Sequence, residues 1–258
     1  QNIPVRTELG REIRNAFVAK KGMTLLAADY SQIELRVVAS LSNDLKMIQA
    51  FKEGIDIHTA TAAEMNGVAL EDVTKDMRRA AKAINFGILY GMGPQGLAEG
   101  AHVSFEEALD FIQQYNNAYP DVRRYMDEIL QQARALGYVE TMFGRRRYVP
   151  ELKSGVMQVR RAAERMAINM PVQGTAADIM KKAMIAVADR IKKEAAENDV
   201  AMILQVHDEL VFEVSPKQIK IIVAWIAEEM EHVVQLKVPL DVELSSGTTW
   251  GTLSPLSL

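Results

Sequence analysis

The 258-residue chain contains no cysteine. Disulfides and cysteine-built zinc sites are therefore excluded, and the composition agrees with a reducing, cytoplasmic setting. No stretch approaches the roughly 20 consecutive apolar residues that a membrane span needs. There is no internal repeat and no low-complexity segment. Positive charge is not in excess either: the net charge is −4 and the pI near 5.7, which argues mildly against a nucleic-acid partner on the basic-domain criterion. The first residues, QNIPVRTELGREIR, show neither a signal-peptide pattern nor an initiator methionine, and they read as the start of a piece of a longer protein.

What is there is ordinary globular material. Hydrophobic residues make up 48% and charged residues 25%, enough for a substantial core in one large domain or two smaller ones. Charge is unevenly placed. Arginine concentrates in GRRRY at 144–148 and VRRAAER at 159–165, and acid collects in EAAEN and AEEMEH towards the C-terminal end. A solvated face accounts for either run taken alone.

MTLLAAD at 23–29, preceded by Gly22, reads as a buried strand. A helix over about 31–42 follows, with Ile33, Val37 and Leu41 at helical spacing. From about 45 to 165 the pattern is helical almost throughout, punctuated by Gly54, Gly67, GMGPQG at 91–96, Pro120, Gly137 and Pro150. A long helix is expected from about 175 to 197. AMILQV and LVFEV flank His207, Asp208 and Glu209 as a β-hairpin, SPKQIKIIVAWIAEEMEHVV is amphipathic, and KVPLDVELSSG reads as a last strand before a loose tail. Strands at both ends and helices between them predict an α+β fold, an antiparallel sheet carrying a large all-helical insertion.

Three stretches carry chemistry. Asp29 ends an apolar run and Asp208 sits at a hairpin turn. Aspartate is common at such places, but two on neighbouring strands of one sheet would project from the same edge. Paired carboxylates can hold Mg²⁺ together with phosphates and water, and two such ions about 3.5–4 Å apart suit an in-line displacement. Ser31 and Glu34 also satisfy the S-x-x-E capping box. On the helix over 75–90, Arg78, Lys82, Phe86 and Tyr90 fall at about 0°, 40°, 80° and 120°, opposite an apolar face of Ala80, Ala81, Ile84 and Ile88. Cations suit phosphate oxygens and an aromatic can stack on a base, although a solvated face with snorkelling stems fits the same spacing. GMGPQG matches G-x-G-x-x-G but follows a helix, so it reads as a helix stop and not a dinucleotide site. His58 taken alone reads as a helix-start residue. Arg165, Asn169 and Gln173 repeat every four residues and could donate to minor-groove acceptors; an exposed polar stripe fits as well.

Together DYSQIELR (29–36), RRAAKAINFGILYG (78–91) and QVHDELVFEV (205–214) resemble motifs A, B and C of the family A DNA polymerases, the bacterial DNA polymerase I type. The resemblance runs from QNIPVR to TTWG. It implies a palm at 1–45 and 156–258 and helical fingers at 46–155. It implies template-directed addition of dNTPs to a primer 3′-OH on primer–template DNA, with two Mg²⁺ ions on Asp29 and Asp208 and an oxygen from the Tyr30 carbonyl. Arg78, Lys82 and His58 would hold the triphosphate, with Lys82 the proton donor to pyrophosphate. Gln32 would also lie at the dNTP, Phe86 would stack beside it, Tyr90 would shape the nascent pair's pocket and Glu34 would exclude a 2′-OH. Arg6, Arg165, Asn169, Gln173 and His207 would contact DNA, and Glu209 matches the motif without a defined role. The upstream thumb and nuclease segments of such a parent are absent, so stand-alone polymerisation does not follow from the motifs. A bacterial or phage-infected cytoplasm, at the nucleoid, is the implied location. Two rivals stand beside this: a single-subunit RNA polymerase relative, disfavoured by Glu34 and Phe86, and a catalytically silent DNA-binding fragment.

Overall fold

The computed structural model describes residue 3, residues 7–101 and residues 103–256; Arg6, expected at DNA, lies outside the described residues. The elements run α1 (Glu8–Asn15), β1 (Thr24–Tyr30), α2 (Ile33–Ser42), α3 (Leu45–Lys52), α4 (Ile57–Asn66), α5 (Lys75–Leu89), α6 (Pro94–Ala101), α7 (Phe105–Ala118) and α8 (Pro120–Leu136). After these come β2 (Tyr138–Glu140), β3 (Arg146–Tyr148), α9 (Met157–Lys193), β4 (Val200–Val206), β5 (Glu209–Val214), α10 (Ile219–Glu231), β6 (Val242–Gly247) and β7 (Ser254–Pro255). The α+β class with a helical insertion is as predicted. No helix among the described residues is long and apolar enough to cross a membrane.

The chain divides into two compact units, one of residues 1–33, 176–235 and 240–258, the other of residues 34–175 and 236–239. These divisions fall at 33/34 and 175/176, some way from the 45/46 and 155/156 expected for palm and fingers.

The first unit is built on a five-stranded antiparallel sheet in the order β4-β5-β1-β6-β7. Strand β1 lies between two partners and is covered on both faces, which is why its sequence is a continuous apolar run instead of an alternation. Leu25 and Ala27 pack with Val206, Val211 and Trp250 on one face. On the other, the Tyr30 hydroxyl donates to the carbonyl of Met230 at 2.7 Å, joining β1 to α10. Helix α10 buries Ile222, Val223, Trp225, Ile226 and Met230, each such side chain stabilising the fold by about 1.5–3 kcal/mol. The tail expected to be loose is not: residues 254–255 form β7 against β6, and Trp250 N–H donates to the Phe17 carbonyl.

The second unit is helical, with one element the sequence reading missed. Residues 138–148 form a two-stranded hairpin, β2–β3, in which Arg146 lies over the Tyr138 ring. Its Val139 joins a core with Ala133, Val149, Leu152, Ala163, Ala167 and Met170. Helix α9 is also longer than expected, starting at Met157 and passing through Pro171 without a break. Gly174 permits this packing, since a Cβ there would lie 2.6 Å from Thr141 Cγ2. The helix stop at GMGPQG is as expected: Tyr90 caps α5, Gly91 takes φ +66°, and α6 begins at Pro94.

Candidate active site

In the sheet unit the acidic site forms where β1 ends. Asp29 pairs in register with Glu209 on one side and Glu243 on the other, so three carboxylates stand in a row across one face of the sheet. Like charges placed opposite one another cost stability. The turn His207–Asp208 joins β4 to β5, and the Tyr30 N–H donates to the Asp208 carbonyl at 3.1 Å. The two aspartates predicted from sequence are thus brought to the same edge, as neighbouring strands require. His207 holds φ +56°, a left-handed turn conformation; its side chain is exposed, and its carbonyl accepts from the Gln205 amide at 2.6 Å.

The flanking carboxylates have partners in the fold. Glu209 accepts from the Trp250 indole N–H at 3.0 Å, with the Arg14 guanidinium 4.0 Å above that ring. Glu243 accepts from the Ser31 hydroxyl at 3.0 Å. Asp29 differs: its Oδ1 is buried with no hydrogen-bond partner among the described residues. Burial, then the negative charges of Asp208, Glu209 and Glu243, push its carboxyl up to about 7. Burial also raises Asp208 and Glu209. A cleft of about 390 Å³ opens against Asp29, Glu209, Glu243 and Ser245. Among the described residues no three His, Cys, Asp or Glu side chains converge as a self-contained chelate. A buried oxygen without a donor and hard carboxylate ligands fit a divalent cation that draws its remaining ligands from phosphates and water. Glu243 and Trp250 had no local sequence signal, because strand adjacency across 200 residues leaves none. Gln32 takes φ +53° in the turn after β1.

In the helical unit α5 carries the predicted stripe. Thr74 caps its N-terminus, and Ala81, Ile84, Ile88 and Leu89 are buried while Lys82 is exposed. Arg78 is not merely solvated: its Nε and Nη2 donate to Asp56 at 3.0 and 2.8 Å. Asp56 also caps α4 through the Thr59 N–H at 2.8 Å. Burial alone would raise Asp56, but the bonds from Arg78 and Thr59 prevail and hold it at about 2. His58 is 2% exposed and packs 5.6 Å from the Phe86 ring. Burial lowers it to about 4, with Lys82 and Arg78 adding to that and Asp56 opposing. Phe86 and Tyr90 stack at 6.0 Å. The Tyr90 hydroxyl donates to Glu34 at 2.5 Å. This brings Glu34, His58, Arg78, Phe86 and Tyr90 into one connected set; sequence reasoning missed Asp56, although its place at a helix start was legible.

The Arg165, Asn169 and Gln173 stripe lies on α9, with Arg165 and Gln173 exposed. Asn169 is committed within the fold: with its amide nitrogen facing acceptors it donates to the carbonyls of Leu89 at 3.1 Å and Arg165 at 3.3 Å. Gly91 sits where a Cβ would come 3.2 Å from Arg165 Cγ.

An antiparallel sheet edged with carboxylates in one unit, and a cationic, aromatic helix in the other, are the parts of a polymerase-domain fold. The chain superposes with a TM-score of 0.92 and 45% identity on the POL domain of Pol1 from M. smegmatis, solved in complex with DNA primer-template and dNTP, covering 97% of this chain and 44% of that one. The chain belongs to DNA polymerase family A, whose model matches residues 1–252. It is 55% identical over 251 residues to the thermostable DNA polymerase I of Thermus aquaticus and 48% identical over 251 residues to DNA polymerase I of Geobacillus stearothermophilus. Both matches take in 97% of this chain; it spans 30% and 28% of those proteins.

Proposed function

We propose that the chain is the nucleotidyl-transfer core of a DNA-directed DNA polymerase, with residues 1–45 and 156–258 acting as palm and 46–155 as fingers, within a longer protein that carries further segments. The observation that carries the reading is Asp29 Oδ1, buried beside the Asp208 turn without a donor among the described residues. With Asp29, Asp208 and the Tyr30 carbonyl as ligands, two Mg²⁺ ions would supply charge stabilisation for the attacking and leaving oxygens.

The chain's own residues do the rest. Arg78, Lys82 and His58 bind the triphosphate, Arg78 already oriented by its two bonds to Asp56. The primer 3′-OH gives its proton to solvent as its oxygen attacks the α-phosphate, the α–β bridge breaks, and Lys82 delivers a proton to the departing pyrophosphate. Phe86 stacks at the incoming sugar and base, and Gln32 contacts the dNTP. Glu34, held by Tyr90, excludes a ribose 2′-OH. Arg6, Arg165, Asn169, Gln173 and His207 contact primer–template, Asn169 being held by its bonds to the Leu89 and Arg165 carbonyls. Glu209 positions Trp250 beside the carboxylate row.

Primer extension by the 258-residue chain with Mg²⁺ and four dNTPs, beside Asp208→Ala, tests this. Template-directed growth that disappears in the variant is the expected result. Growth that survives Asp208→Ala overturns the site. Primer–template binding without growth favours the silent DNA-binding reading for this piece.

A further inference from the structure

A buried polar chain leads away from the triphosphate face of α5 into the helical unit. Asn85, fully buried, places its amide nitrogen 3.0 Å from His58 Nδ1 and 3.1 Å from Thr61 Oγ1. Thr61 Oγ1 lies 2.7 Å from the Ile57 carbonyl and 3.1 Å from the Tyr119 hydroxyl. Tyr119 is 3% exposed, and burial pushes its hydroxyl up to about 12, keeping it a donor.

Protons can be counted along this chain. A threonine hydroxyl has one proton and two acceptor positions. The Ile57 carbonyl at 2.7 Å takes that proton ahead of Asn85 Oδ1, which lies farther off at 3.2 Å, so Tyr119 and Asn85 both donate into Thr61. The Asn85 amide then uses one N–H on Thr61 and the other on His58 Nδ1. Placed this way the amide bonds both of its buried N–H groups, a stricter requirement in proteins than filling every carbonyl oxygen. A ring nitrogen that accepts carries no proton, so the His58 proton sits on Nε2.

Resting on the nucleotide reading above, we infer that Asn85, backed by Thr61 and Tyr119, is a positioning residue that fixes the His58 tautomer and ring plane so that an uncharged Nε2–H is offered to a triphosphate oxygen. Burial and the neighbouring Lys82 and Arg78 keep the ring neutral, with Asp56 the opposing charge. A neutral donor here adds a hydrogen bond without a third fixed cation beside Arg78 and Lys82. It would release pyrophosphate more readily than an imidazolium.

Long-range ¹H–¹⁵N spectra of histidine-labelled protein test the inference directly. The chain has four histidines, and His58→Gln assigns the signal. The expected result is a bare Nδ1 and a protonated Nε2 from pH 8 down to pH 5. A protonated Nδ1 in the unaltered chain overturns it. Asn85→Asp, whose carboxylate can only accept, should move the proton to Nδ1 and weaken dATP binding about tenfold by calorimetry, with primer–template affinity unchanged. Thr61→Val serves the same purpose should a buried carboxylate prevent folding, and an unmoved tautomer with unmoved dATP affinity in the folded variant overturns the role. A bare Nδ1 in a chain that binds neither dATP nor tripolyphosphate would support Asn85's hold on the ring and overturn the nucleotide reading behind it.

Discussion

The Tyr90 hydroxyl and the Glu34 carboxylate share a charge-assisted bond of 2.5 Å, which holds a bulky acidic side chain in one place. A fixed obstacle discriminates by shape where a mobile one could swing aside. We expect Glu34→Ala to raise ribonucleotide incorporation at least about tenfold, read from competition between rNTP and dNTP; unchanged sugar selectivity would remove Glu34 from that role. Lys82 is exposed and, among the described residues, makes no ion pair. Lys82→Ala should therefore fold normally and slow nucleotide addition about 100-fold, with primer–template affinity within about twofold. Equal losses in rate and in DNA binding would move Lys82 away from the triphosphate.

At the scale of elements, α4 and α5 are joined by Asp56, which caps one helix and holds Arg78 of the other. Its carboxyl stands at about 2 in the folded chain against an ordinary 3.8. A depressed carboxyl stabilises the fold fully above the unfolded value and loses that contribution as pH falls through about 2. Asp56→Asn, which keeps a helix cap, should cost about 1–2 kcal/mol at pH 7 after solvent screening. Denaturant titration from pH 7 downward should show the difference closing as pH approaches 2. Elements differ in how far the sequence announced them. Strand β1 and the β4–β5 hairpin were legible because a doubly buried strand is a continuous apolar run and a two-residue turn leaves polar residues at its tip. The start of α9 was not: Pro171 reads as a breaker, and only the core around Ala163, Ala167 and Met170 accounts for helix on its N-terminal side. Hairpin β2–β3 has three residues per strand, too few for a period. Asp29, Asp208 and the α5 stripe could be found locally. Asn85 could not, since an asparagine between Ile84 and Phe86 reads as surface until a buried histidine is seen opposite it.

Across the whole molecule, segments near the two ends of the described chain close on each other. Val18 bridges Thr249, the Thr249 hydroxyl meets Asn15 at 3.2 Å, and Trp250 lies between Arg14 and Phe17. Trp250 is 5% exposed and also supplies the donor to Glu209. Trp250→Ala should cost about 3–5 kcal/mol, measured by denaturant unfolding, whereas Trp250→Phe should recover most of the packing but not the bond to Glu209. A loss below about 1 kcal/mol would mean that this closure holds little of the sheet in place.

The central position of β1 has a consequence for how the chain is made. Both strands that flank it come late: Asp29 faces Glu209, about 180 residues further on, and Glu243 later still. At roughly 5–20 residues per second, a ribosome takes on the order of ten to forty seconds to deliver the first partner. For that interval Leu25, Leu26, Ala27 and Ala28 leave the exit tunnel as an apolar strand with two open edges, while the helices encoded next can already form from neighbours in sequence. Synthesis thus completes the helices of the second unit before the acidic edge exists, and the carboxylate row is assembled only once Glu243 has emerged.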